Sequence, residues 1–236
     1  MNQFSGPALH GADIMSIVLP VHNQADHIEA VVAGYQTALS KVGCRHELIL
    51  VSNACRDQSP AICQELARSR EQVRAIDTPE KGWGRAVKLG LQEAGGTWLA
   101  YTNSARTKPE QLAAIVLQAI LNPQAAVKAS RQGRSGLRKL GSSIYNWECR
   151  FLFNLPYSDV NGTPKAFPRR FDKLLSLTRD DDLIDLEFLI VCRREGYPIF
   201  EVPIFSGTRH GGDSTTRVPS ALRLYSGAYR MWRGRD

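Results

Sequence analysis

No stretch of this chain is long and apolar enough to cross a bilayer. The run from Ala113 to Leu121 is interrupted by polar residues and falls short of the roughly 20 residues a spanning helix needs. The five cysteines, Cys44, Cys55, Cys63, Cys149 and Cys192, form no C-x-x-C pair, so neither a disulfide framework nor a zinc knuckle is signalled. The histidines include no H-E-x-x-H, and His22 and His27 alone make no metal site. There is no G-x-x-x-x-G-K-[ST], and Gly82-Trp83-Gly84 lacks the third glycine and the preceding strand turn of a dinucleotide fingerprint. No repeat period divides the 236 residues. Residues 1–13 have neither a basic n-region nor an apolar h-region, so they read as a disordered start and the chain is expected in the cytoplasm.

What is present is the composition of an ordinary globular core, 43% hydrophobic and 22% charged, which excludes disorder for the bulk of the chain. Thirty Lys and Arg against 23 Asp and Glu give a net charge of +7, which favours an anionic partner without choosing among nucleotide, nucleic acid and membrane surface. Nucleic acid is the weakest of these, because the basic residues are not interleaved with aromatics in any RNP-like segment.

Ser16 to Val21 is a nearly continuous apolar run, as a strand buried on both faces requires. Ile28, Val31, Val32, Tyr35, Leu39 and Val42 then recur at helical spacing, with Asp26 and Glu29 placed for a capping box and Gly43 as the stop. Glu47–Val51, Val73–Asp77, Thr97–Tyr101 and Ala125–Ala129 read as further strands. Helices opening at Ser59-Pro60, around Ala86 and at Thr107-x-x-Glu110 alternate with them. Such alternation predicts an α/β fold with a mostly parallel central sheet, helices on both faces, and ligands beyond the carboxyl ends of the strands, near Val51–Ser59 and Tyr101–Lys108. After residue 129 come a basic glycine-containing loop (SRQGRSGLRK), a helix with Ile144, Trp147 and Phe151, a helix over Leu186–Glu195, and a strand over Ile199–Phe205 whose Pro203 argues for a sheet edge. The C-terminal helix from Ser220 is amphipathic and basic; it either docks on the domain or lies on a membrane surface.

This order of segments resembles the family 2 glycosyltransferases of GT-A fold, above all the dolichol-phosphate and polyprenyl-phosphate sugar synthase group, over about residues 15–216. Ser16-Ile-Val-Leu-Pro-Val-His-Asn23 is similar to the family's opening strand, and Glu80 to Gly90 resembles its N-x-G-x-x-x-A-x-x-x-G segment. Asp185-Leu-Glu187, Glu201-Val-Pro203 and Arg209-His-Gly-Gly-Asp-Ser214 resemble its D-x-E-L helix, E-V-P strand and R-x-x-G-x-S loop. The resemblance implies residues 14–216 as one GT-A-like domain, with a nucleotide-binding half (14–129), an acceptor half (130–216) and residues 217–236 as the terminal helix. It also implies transfer of a sugar from a nucleotide-sugar donor to an acceptor, with a polyprenyl phosphate at the inner face of the membrane among the acceptors. The alternative from another class is a noncatalytic GT-A-like protein that binds a nucleotide, a sugar or a partner.

Two departures bear on mechanism. Where the family carries paired aspartates after the second strand, this chain has Val51-Ser52-Asn53-Ala54, and where it carries D-x-D it has Thr102-Asn103-Ser104. The family's Mg²⁺ or Mn²⁺ therefore lacks its usual carboxylates, which hard cations need; no cofactor is expected, and either ion stays the alternative. Cations of the chain are the expected substitute at the diphosphate. The donor residues implied are Pro20, His22, Asn23, Ser52, Asn53, Lys81, Arg85, Thr102, Asn103, Ser104 and Arg106, with Arg56 and Lys108 beside them. Arg131 and Arg209 are expected at phosphate, and Asp159 is the candidate general base. Arg106 and Lys108 are equally readable as solvated loop and first-turn charges, whereas Arg131, inside a basic loop with Arg134, Arg138 and Lys139, reads better as a phosphate contact.

Overall fold

The computed structural model describes residues 13–133, 136–205 and 218–234. β1 (Met15–Val21) is buried at every position, and its pleat divides its side chains between two cores. Met15, Ile17, Leu19 and Val21 enter the core beneath α1 (Ile28–Val42), α2 (Ser59–Ser69) and α4 (Pro109–Leu121). Val18 enters the opposite one, beneath α3 (Trp83–Glu93), α6 (Ile184–Glu195) and α7 (Val218–Trp232). The continuous apolar reading of this segment is thus the signature of a strand covered on both sides.

β2 (His46–Asn53), β3 (Val73–Thr78) and β4 (Trp98–Tyr101) join β1 in parallel. The seven-stranded order is β3-β2-β1-β4-β6-β5-β7, with β5 at Ala126–Gln132, β6 at Lys165–Pro168 and β7 at Ile199–Phe205. β6 runs antiparallel to both β4 and β5, while β5 and β7 are parallel. β7 is an edge strand, as Pro203 requires.

Several local expectations are corrected. Asp26 and Glu29 form no capping box: the first turn of α1 is closed by the carbonyl of Gln24, which accepts from His27 and Ile28, while Asp26 Oδ1 lies 2.5 Å from His27 Nδ1. α4 starts at Pro109 with Lys108 as its N-cap, one residue beyond the Thr107 expected, and Gln111 Oε1 accepts from the Lys108 amide at 3.1 Å. The basic stretch after residue 129 is largely regular: Ser130–Gln132 complete β5, and after Gly133, in the left-handed region at φ 76°, the chain enters α5 (Gly136–Phe153). β6 had no counterpart in the sequence reading.

Three glycines set how closely the layers approach. A Cβ on Gly90 would stand 2.3 Å from Val18 Cγ1, so α3 rests directly on β1. On Gly82 and Gly84 it would stand 2.4 Å from the carbonyl oxygens of Asp180 and Arg179, so the segment before α6 is laid across the start of α3. The terminal helix α7 docks on the domain. Tyr225 donates to the Gly141 carbonyl at 2.6 Å, its ring meets Tyr145 edge to face, and a Cβ on Gly227 would collide with Leu183.

Candidate functional site

From β1 the chain winds one way to β2 and β3, then returns to β1's other side as β4. The carboxyl ends of β1 and β4 therefore open a crevice where the winding reverses, the usual place for a ligand in such sheets. Residues 20–24, 52–57 and 102–107 converge on it, and side chains stitch these three loops together. Asn23, in the left-handed region at φ 51°, accepts from the Arg56 amide through Oδ1 at 2.8 Å. Gln24 N donates to Ser59 Oγ, and the Asp57 carboxylate accepts from Ala25 N and Ser59 N, both at 3.0 Å. Burial works against the charge of Asp57, but these hydrogen bonds outweigh it and hold its carboxyl below the ordinary range. Asn53 Nδ2 donates to the Val21 carbonyl at 2.9 Å, and the Asn53 carbonyl lies 2.7 Å from His22 Nδ1. A carbonyl only accepts, so His22 carries a proton on Nδ1 and donates it there. Asn23→Ala removes the Arg56 bond and puts a Cβ residue without a polar tip at positive φ. It is expected to cost about 1–3 kcal/mol, read from the urea midpoint.

The triplet at the end of β4 is tied into the same stitching. Thr102 and Ser104 are fully buried. Thr102 Oγ1 is 2.7 Å from Thr107 Oγ1, and Ser104 Oγ is 2.9 Å from Gln24 Oε1 and 3.1 Å from the Pro20 carbonyl. Asn103 is half-buried, and its carbonyl accepts from the amides of Arg106 and Thr107. Across the crevice, Ser52 Oγ is bonded to Asp77 Oδ1 at 2.5 Å. A divalent ion held by the family's usual donors does not fit these residues. The hydroxyls in the two diagnostic places are neutral and engaged within the chain, and among the described residues no three His, Cys, Asp or Glu side chains group to hold a metal.

The expected cations are spread unevenly. Arg106 is half-buried in the crevice loop, and Arg56 is exposed on the opposite lip. Lys108 is exposed at the start of α4 and Lys81 is exposed before α3. Arg85 is brought elsewhere: its guanidinium pairs with Glu80 and, at 2.7 Å, with Asp180, which also holds Lys88 at 2.7 Å. Arg209 lies outside the described residues.

In the second half, Arg131 and Asp159 form a bidentate pair. Nε and Nη2 donate to the two carboxylate oxygens at 2.7 and 2.9 Å, and the Arg131 amide adds a third bond at 3.0 Å. The two residues expected at phosphate and as base are thus each other's partner. Glu201 on β7 fixes the loop that carries Asp159, accepting from Ser158 and from the fully buried Lys128 at 2.7 Å. Glu187 accepts from the amides of Thr178 and Arg179 and so pins the segment before α6. The sequence reading missed a second buried lysine, Lys165 of β6, which pairs with Asp185; Tyr101 donates to the same carboxylate oxygen at 2.9 Å. The available signal was a lysine inside a short apolar segment, Ala166-Phe167 following it directly.

Comparison with known proteins extends this picture. The family model described as Glycosyl transferase family 2 matches residues 16–175. The chain is 26% identical over 230 residues to Glycosyltransferase AglD of Haloferax volcanii, covering 92% of this chain and 37% of that protein. It is 23% identical over 206 residues to the undecaprenyl-phosphate 4-deoxy-4-formamido-L-arabinose transferase of Pseudomonas fluorescens, covering 85% of this chain and 59% of that one. The chain therefore spans between about a third and three fifths of these relatives' lengths. Among solved structures, glucosyl-3-phosphoglycerate synthase of Mycobacterium tuberculosis, in complex with Mn²⁺, UDP and phosphoglyceric acid, superposes with a TM-score of 0.72 at 18% identity, over 94% of this chain and 79% of that one. That likeness establishes the GT-A-like fold.

Proposed function

The chain belongs to glycosyl transferase family 2, and from that membership we propose that it transfers a sugar from a nucleotide-sugar donor to a polyprenyl phosphate, without the family's divalent ion. The observation that carries this reading is the crevice between β1 and β4, built from three interlocked loops and flanked by Arg56 and Arg106. The names of the relatives support the acceptor class, and the UDP-bound structural neighbour supports the donor class.

The departing nucleoside diphosphate must be neutralised. A unit charge about 4 Å away contributes about 4 kcal/mol at an effective dielectric of 20, and nearer 1 kcal/mol in bulk water. Arg106, half-buried, is the stronger contributor and Arg56 the weaker. On the acceptor side, a phosphate oxygen is already anionic and needs no base, so Asp159 serves to hold Arg131 in place until an acceptor anion competes for the guanidinium. Lys81 and Arg209 complete the proposed phosphate contacts. Pro20, His22, Ser52 and Asn53 shape the base and ribose side, and Arg85 acts at a distance by fixing α3 through Asp180.

Isothermal titration of UDP and of GDP, with and without Mn²⁺, tests the reading. Expected is binding of one nucleotide that Mn²⁺ changes by less than about tenfold, and that Arg106→Ala weakens by about tenfold or more. A gain of tenfold or more on adding Mn²⁺ overturns metal independence, and no binding of either nucleotide overturns the donor assignment.

A further inference from the structure

We propose that the outward face of α5, together with the arginine-bearing face of α7 beside it, docks on an anionic membrane surface. The inner face of α5 is accounted for: Tyr145 and Cys149 are buried in the core, and Tyr145 packs on Tyr225 of α7. Its outer stripe is not. Ile144, Trp147 and Phe151, at helical spacing, are exposed to 50%, 67% and 74%, and the Trp147 and Phe151 rings stack with centroids 5.7 Å apart. Exposing two large rings side by side is unfavourable in water unless a partner receives them.

Charge selects the partner. On α5, Arg150 is exposed directly before Phe151, and Glu148 is the one acid of the helix. α7 contains no acid, and Arg223, Arg230 and Arg233 are exposed along it with Tyr229 and Trp232. The Arg233 guanidinium lies 5.9 Å from the Tyr229 ring centroid. Aromatic rings with arginines around them suit the headgroup boundary of an anionic bilayer, where the rings are partly immersed and the guanidiniums meet lipid phosphates. No helix among the described residues is long and apolar enough to cross a membrane, so this contact lies along the surface.

The test is sedimentation of the full chain with vesicles of phosphatidylcholine containing about 30% phosphatidylglycerol, against pure phosphatidylcholine. Expected is binding to the anionic vesicles that falls about tenfold or more in Trp147→Ser/Phe151→Ser, and that high salt weakens. Brominated lipid should quench tryptophan fluorescence of the unaltered chain, a readout that needs no variant. Three results overturn the proposal: no sedimentation of the unaltered chain, equal binding by the double variant, or a dimer in solution that the double variant splits, which makes the face a contact between copies. This surface goes beyond the donor-transfer reading. Nucleotide titration without vesicles reports on the crevice alone, so either result can fail while the other stands.

Discussion

Asp185→Asn is expected to lower the unfolding free energy by about 3–5 kcal/mol, the range for removing one partner of a buried ion pair, read as a fall in the urea midpoint. Lys165 is fully buried between the Tyr101 and Phe188 rings, its ammonium 5.5 and 5.7 Å from their centroids, and Asp185 is its carboxylate partner. Asparagine keeps the shape and an oxygen for the Tyr101 hydroxyl, so the loss isolates the charge. Replacing both partners with apolar side chains of similar volume should recover most of it, because no charge is then left uncompensated.

The same lysine makes a pH signature. Burial first, opposed by the attraction of Asp185, brings its ammonium from the ordinary 10.5 down to about 8. Between those values the unfolded chain holds a proton that the native state has shed, so this residue's contribution to stability rises with pH across that window. Buried cysteines work the other way. Cys44 is pushed up to about 11 and Cys63, Cys149 and Cys192 to about 12, all by burial, from the ordinary 9.0. The unfolded chain ionises them first, and total stability falls above about pH 9. Comparing the chain with Lys165→Met separates the two: the stability difference, native sequence minus variant, should grow between pH 8 and 10.

The second large effect concerns the altered triplet. Rebuilding an acidic pair as Thr102→Asp/Ser104→Asp is expected to destabilise the fold by about 3 kcal/mol or more, without creating a Mn²⁺ requirement for nucleotide binding. Ser104 is the costlier position. Its hydroxyl sits between two oxygens, the Pro20 carbonyl and Gln24 Oε1, and a carboxylate there has no proton to offer either. At Thr102 the Thr107 hydroxyl can still donate. Thermal melts of the two single variants should rank them in that order. A stable double variant whose UDP affinity rises tenfold with Mn²⁺ would show that the loops yield and that two carboxylates suffice.

The βα alternation was legible because a parallel strand covered on both faces carries a continuous apolar run, as Ile17–Val21 of β1 and Leu48–Val51 of β2 do. β6 was not. It is four residues long and starts with a lysine, and only its pairing with β4 and β5 identifies it. The site divided along the same line. That the loops around residues 23, 53 and 103 lie together was legible, since each follows the carboxyl end of a parallel strand. What their side chains do was not, because hydroxyl and amide groups choose partners by geometry: Ser104 bonds 80 residues away to Gln24, and Arg131 closes on Asp159 28 residues on. A basic residue in the sequence is a charge available to any ligand, and only coordinates tell which ones already have a carboxylate.

Among the described residues β7 forms one border of the sheet with no strand beyond it, and Phe200 and Phe205 are exposed along it. An uncapped, aromatic border of this kind invites a stray extended chain to add itself, the first step toward fibrous aggregates. Pro203, by withholding a donor in the middle of that border, breaks the ladder such an intruder would need. The consequence is a penalty that surfaces only during production: Pro203→Val should leave the native molecule intact while lowering the yield of dispersed protein.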